Sequence, residues 1–149
     1  MTQHPKEALN DALKEAMKAK DNARRDALRL LTSALKQAEI DTQKELTPDA
    51  AMDVLQREAK KRRENIAEYD KLGRAEQVQA EQYELSVIEE FLPRQLTHDE
   101  IVAIVKEVIA STGVTSAKEM GKLMGALQPR VKGVADGKVV SEIVKSLLS

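Results

Sequence analysis

The chain has 149 residues, 33% charged, 42% apolar and 2% aromatic, and its 24 Lys+Arg against 25 Asp+Glu leave a formal net charge of -1. That length suits one domain or two small ones with a core of their own, and the absence of cysteine excludes disulfides, thiolate zinc sites and a cysteine nucleophile. The near-neutral balance argues against coating of nucleic acid by the whole surface, and Tyr69, Tyr83 and Phe91 are too few rings for an aromatic stacking platform.

The N-terminal stretch through Glu7 lacks the apolar core of a signal peptide, and no apolar run approaches ~18 residues. A cytoplasmic location without a membrane partner is therefore expected. From Pro5 to Lys20, Leu9, Leu13, Ala16 and Met17 recur at i, i+4, i+7 and i+8, the spacing of one helical face. A second helix is predicted from Asn22 to about Lys44, with Ala27, Leu28, Leu31, Ala34, Leu35 and Ala38 as its inner stripe. Thr47-Pro48-Asp49 restarts the chain as N-cap, first helical residue and dipole partner. The third helix should run to about Leu72 on an inner face of Leu55, Ala59, Ile66, Tyr69 and Leu72, with Gly73 ending it. A fourth follows from about Arg74 to Phe91, carrying Leu85, Val87, Ile88, Phe91 and Leu92 on its later turns.

Pro93 then disfavours helix at Leu92, and the composition changes. Residues 1–96 hold one glycine and six Val/Ile, whereas residues 97–149 hold five glycines and thirteen Val/Ile. A boundary at about Leu96 follows, giving an N-terminal helical bundle at 1–96 and a small helical subdomain at 97–149. In the second part Thr97 and Glu100 form a capping box ahead of Ile101, Val102, Ile104, Val105, Val108 and Ile109, and Gly113 stops that helix. Ser116 and Glu119 read as another capping box before Met120, Leu123, Met124 and Leu127; Pro129 is expected to interrupt, and Gly133 to end the turn after it. Asp136 can cap a last helix presenting Val139, Val140, Ile143, Val144, Leu147 and Leu148. The β-branched residues favour strand by propensity, but their spacing is helical, and periodicity is the stronger signal. The predicted fold is all-α: a four-helix region followed by a small three-helix tail subdomain.

The residues nominate no catalytic centre, metal or cofactor. His4 and His98 have no ligand at metal spacing, and neither a Walker loop nor a nucleophile elbow occurs. Ser116 and Lys118 lack a glycine-rich surround for an oxyanion hole. Lys60-Lys61-Arg62-Arg63 is the densest basic run, but Glu58–Arg62 and Lys60–Glu64 are i,i+4 pairs of opposite charge, so a salt-bridged solvated face is preferred to a nucleic-acid patch.

The tail carries a different signal. Gly121 and Gly125 share one face of a predicted helix, where each costs roughly 1 kcal/mol relative to alanine. Two readings are open: close packing of a neighbouring helix, or close approach of an external group such as a phosphate backbone. Charge shifts the weight toward the second. From Thr112 to Ser149 six Lys/Arg face three acids, while residues 1–111 carry 18 basic and 22 acidic side chains. A basic, glycine-rich helical tail on an acidic body is a polyanion surface. Its candidate RNA-binding residues are Lys122, Arg130, Lys132 and Lys138, with Gly121, Gly125 and Gly133 allowing close backbone approach. Arg130 and Lys132 flank a break where backbone N–H groups could meet phosphate, and Lys138 lies at the positive end of the last helix.

Three stretches carry a family resemblance over essentially the whole chain: Arg29-Leu30-Leu31-Thr32-Ser33-Ala34-Leu35-Lys36, the run from Glu90 through Phe91-Leu92-Pro93-Arg94-Gln95-Leu96, and the tail from Met120-Gly121 and Met124-Gly125 to Lys132-Gly133 and Ala135-Asp136-Gly137. They resemble the GatB/YqeY family, in its free-standing YqeY-like form. The sequence is similar to the C-terminal helical and tail regions of the B subunit of the tRNA-dependent amidotransferase, whose tail helps hold the tRNA. The resemblance implies a tRNA-facing tail, amidotransferase or aminoacyl-tRNA synthetase components as partners, and an inherited label of carbon–nitrogen ligase with glutamine as amido donor. It does not bring that enzyme's kinase centre or its glutamine-hydrolysing serine, which lie in another domain and another subunit. Leu127-Gln128-Pro129-Arg130-Val131 also lengthens the segment before Gly133 relative to the B-subunit tail. The expectation is a tRNA-binding accessory protein without its own catalytic centre; the alternative is a helical protein–protein adaptor that does not bind RNA.

Overall fold

A computed structural model describes residues 3–148. The protein is all-α: among the described residues there are seven α-helices, one short 3-10 turn and no strand. The helices group into two compact units that divide between Leu92 and Pro93.

The first unit contains α1 (Pro5–Lys18), α2 (Asn22–Thr42), α3 (Pro48–Lys71) and α4 (Ala75–Glu89). Each of the first three starts on a side chain that accepts an otherwise unpaired N–H of the first turn. His4 accepts from the Lys6 N–H, Asp21 from Arg24 and Thr47 from Ala50. The other ring nitrogen of His4, Nε2, lies 3.0 Å from the Leu46 carbonyl oxygen; a neutral ring protonated on Nε2 satisfies both contacts. Gly73, at φ +68, ends α3 in the left-handed region that glycine enters without strain.

Leu9 and Ala16 of α1, Ala27, Leu28, Leu31 and Leu35 of α2, Ala51, Val54, Leu55 and Ala59 of α3, and Val87, Ile88 and Leu92 form the core. Of the expected inner residues, Ile66 and Tyr69 are only partly buried and outside this core, and two are exposed, Met17 at 51% and Leu72 at 57%. At about 100° per residue, Met17 lies some 80° around the helix from Leu9, whereas Ala16 lies within about 20° and takes the core seat. Leu72 lies about 100° around from Leu55 by the same reckoning. Arg62, seven residues beyond Leu55, occupies the core-facing position instead and is buried.

The second unit contains α5 (His98–Thr112), the 3-10 turn Ala117–Glu119, α6 (Met120–Val131) and α7 (Gly137–Leu148). The Thr97/Glu100 capping box forms in both directions, and Asp136 Oδ1 accepts the Lys138 N–H at 3.0 Å at the start of α7. Ile101, Val105 and Val108, Leu123, Leu127 and Val131, and Val140, Ile143 and Val144 repeat at three or four residues and close the core with Val114. Helical spacing wins over strand propensity here because these spacings bring every valine of the set to one buried face. The segment before α5 is tied to the same unit: the Leu96 N–H donates to the Val134 carbonyl at 2.7 Å, and Gln95 Nε2 to the Gly133 carbonyl at 3.1 Å.

Three local expectations in this unit fail, the first being Leu147, expected on the apolar face of α7 but 36% exposed and outside the core. The Ser116 side chain caps nothing; its carbonyl accepts the Glu119 N–H in a 3-10 turn, so no capping box precedes α6. Pro129 sits inside α6 rather than breaking it. It lies two residues from the helix end and is exposed, so the one donor it lacks comes from a turn already near solvent.

Candidate nucleic-acid interface

α6 is amphipathic in an unusual way. Leu123, Leu127 and Val131 point inward, while Gly121, Lys122, Gly125, Ala126, Gln128, Pro129 and Arg130 are all exposed. At about 100° per residue, these seven cover roughly 200° of the helix surface. The exposed arc carries two cations, three residues of alanine size or smaller, and no carboxylate, because α6 has no Asp or Glu anywhere in its 12 residues.

The glycines bear on the packing reading of this face. A Cβ built on Gly121 or on Gly125 meets nothing within 4 Å. Among the described residues no neighbouring helix uses their small size. The helix carries their cost, up to about 1 kcal/mol each, without any internal return.

Lys122 lies on the wheel between the two glycines and Arg130 and is exposed. Arg130 reaches across to α5, its Nη2 3.0 Å from Glu107 Oε2. Lys132, just past α6, and Lys138, in the first turn of α7, are exposed as well. Among the described residues no ion pair involves Lys122, Lys132 or Lys138. The four cations thus lie on one helix, the turn after it and the start of the next.

The backbone part of the expected site is not present in the form predicted. The N–H groups of Lys132, Val134 and Ala135 donate to carbonyls of Gln128 and Val131, so the turn does not offer them to phosphate. Gly133, at φ +79, provides the reversal of the turn, and its carbonyl accepts from Gln95. At α7 the Asp136 carboxylate already holds the Lys138 N–H, so the helix start carries its own anion. The site is one of side-chain cations beside bare helix backbone, not of free N–H donors.

Two further residues belong to this region. Lys118, exposed in the 3-10 turn, precedes Lys122 by four residues, a spacing that could have flagged it. Glu107 carried no signal in sequence, because its relation to Arg130 exists only once α5 packs beside α6.

The basic run of α3 is built differently. Arg62 Nη1 lies 2.6 Å from Glu58 Oε1 and its Nε 3.2 Å from Glu84 Oε2 on α4, and only 9% of its side chain is exposed. Lys61 lies 3.6 Å from Glu58. The expected Glu58–Arg62 pair forms, whereas among the described residues Lys60 and Glu64 make no ion pair. Arg62 is therefore a buried tie between two helices rather than part of a solvated face.

Among the described residues no three His, Asp or Glu side chains are placed to hold a metal ion, and no helix is long and apolar enough to cross a membrane. A family model described as Yqey-like protein matches residues 6–148. The chain is 36% identical over 85 residues to a protein called Altered inheritance of mitochondria protein 41, mitochondrial, from Kluyveromyces lactis, and equally to proteins of that name from Lachancea thermotolerans and Eremothecium gossypii. Each match covers 56% of this chain and 46% of the relative, so the chain spans about half the length of the curated relatives it matches. With a family model running from the first turn of α1 to the end of α7, the chain belongs to the YqeY-like family, which is related to the C-terminal region of the amidotransferase B subunit.

Proposed function

We propose that this protein binds tRNA through the exposed face of α6 and the residues around it, as an accessory to tRNA-dependent amidation or another tRNA-linked step, with no catalytic centre of its own. The observation that carries the reading is the open space over Gly121 and Gly125 beside Lys122. Two glycines that pack nothing leave helix backbone accessible to a bulky, rigid, charged surface, and lysines without ion-pair partners supply the attraction. The relation of the family to the amidotransferase B subunit makes tRNA the polyanion of choice, with amidotransferase or synthetase components as protein partners. A cytoplasmic place of work is part of this proposal; the matched relatives are mitochondrial by name.

The adaptor reading has one observation in its favour. Leu30, 47% exposed, lines a groove between α2 and α4 with Ala23, Ala27, Ala80 and Tyr83 and the acids Asp26 and Glu84, a surface a partner side chain with an apolar stem could fill. Binding of total tRNA at two salt concentrations separates the two. Binding should weaken steeply as salt rises, and reversing Lys122, Arg130, Lys132 and Lys138 to Glu should reduce affinity by roughly tenfold to a hundredfold with melting nearly unchanged. Reversal of the exposed Lys60 and Lys61 and the half-buried Arg63 should do less; a larger loss there would move the interface to α3, and no binding at all would leave the adaptor.

A further inference from the structure

Of the four cations assigned to the RNA face, Arg130 differs from the rest. Its Nη2 is 3.0 Å from Glu107 Oε2, and both side chains are open to solvent, 44% and 66% exposed. Lys122, Lys132 and Lys138 have no such partner among the described residues, and α6 itself contains no acid. The carboxylate that meets this face comes from another helix, α5, and it takes the most phosphate-selective donor on it. A guanidinium offers the same N–H groups to a carboxylate as to a phosphate, so the two anions compete for one seat.

We propose that Glu107 is an internal stand-in for phosphate that sets the affinity and the salt dependence of the RNA face. In the free protein it occupies Arg130. When RNA docks, a phosphate oxygen replaces the carboxylate at the guanidinium, and Glu107 is left beside a second anion that repels it. An exposed pair holds weakly enough to be displaced, yet its displacement and the repulsion that follows both count against binding. This inference rests on the RNA reading above and adds to it a residue that opposes binding.

The test is a double-mutant cycle of Glu107→Gln and Arg130→Ala, read as tRNA affinity at two or more salt concentrations, with thermal melting as the check on folding. Because both side chains are exposed, all four proteins should melt alike. Glu107→Gln should tighten tRNA binding roughly two- to fivefold. It should also steepen the log–log salt dependence by up to about 0.7 to 0.9, because no freed carboxylate then takes back a salt cation when RNA docks. In the Arg130→Ala background the same Glu107→Gln change should yield a clearly smaller gain, because only repulsion is then relieved. An undiminished gain without Arg130 would mean general relief of negative charge and would overturn the proposal, as would a Glu107→Gln protein that binds like the wild type. If none of the four proteins binds tRNA in a salt-dependent way, the RNA reading itself falls, an outcome distinct from binding that ignores Glu107.

Discussion

Two sets of cations, one in each unit, are treated in opposite ways. In the first, cations are tied into the helix packing: Arg62 joins α3 to α4 through Glu58 and Glu84, Arg24 of α2 makes a two-pronged contact with Glu90 at 2.7 and 3.1 Å, and Lys6 of α1 meets Glu39 of α2 at 3.0 Å. The Glu90 hydrogen bonds raise the pKa of Arg24, so this charge is held by its partner. In the second unit the lysines on and around α6 extend into solvent without acids. The comparison teaches that the density of basic residues is a poor guide to a binding face. Four in a row on α3 include a buried structural arginine, while scattered lysines beside bare glycines form the face proposed to bind RNA.

The strongest way to break this contrast is to remove the tie on which it rests. Arg62→Ala leaves Glu58 and Glu84 facing each other without their shared cation and should destabilise the first unit by about 3 kcal/mol, within the range for breaking a largely buried pair. Urea unfolding checks this; a loss below about 0.5 kcal/mol, the level of a surface pair, would mean that Arg62 is no different from the lysines of the tail.

A smaller effect sharpens the comparison from the other side. Gly125→Ala adds a methyl group where nothing lies within 4 Å and where the backbone is helical. It should therefore stabilise the protein, by up to about 1 kcal/mol, while weakening tRNA binding severalfold by holding the RNA away from the helix. Stability and binding moving in opposite directions is the signature sought. A variant that is more stable and binds equally well would remove the glycines from the interface.

The smallest expected effect concerns acid. Arg94 and the Thr97 N–H hold the Glu100 carboxyl at about 2, down from the ordinary 4.5. Since the folded value is the lower one, the unfolded chain takes up the proton first as pH falls. The contribution of Glu100 is thus fully present above about 4.5 and disappears as pH drops toward 2. Glu100→Gln keeps the capping-box geometry but not the charge, so the wild type should lose its advantage over this variant across that window. Equal melting temperatures of the two proteins at neutral pH would contradict the assignment. Arg94→Ala should reproduce most of the effect, because the hydrogen bond from Arg94 is the leading cause of the depression.

What could be read from sequence was what is decided within one helical turn. Thr47 before Pro48, Thr97 with Glu100, Asp136 before Gly137 and the left-handed Gly73 and Gly113 are where the residues themselves place them, because a cap or a reversal joins groups at most four positions apart. The helical class followed from spacing in the same way, even in the valine-rich tail. Only the tertiary structure decided which faces are covered. Gly121 and Gly125 have the same spacing whether a helix lies on them or not. Arg62 reads as one more surface cation until α4 brings Glu84 to it, and Arg130 reads as a free donor until α5 brings Glu107. Burial and pairing of this kind depend on residues 22 or 23 positions away for the two arginines, and local pattern carries no record of which distant helix will arrive or what it will carry.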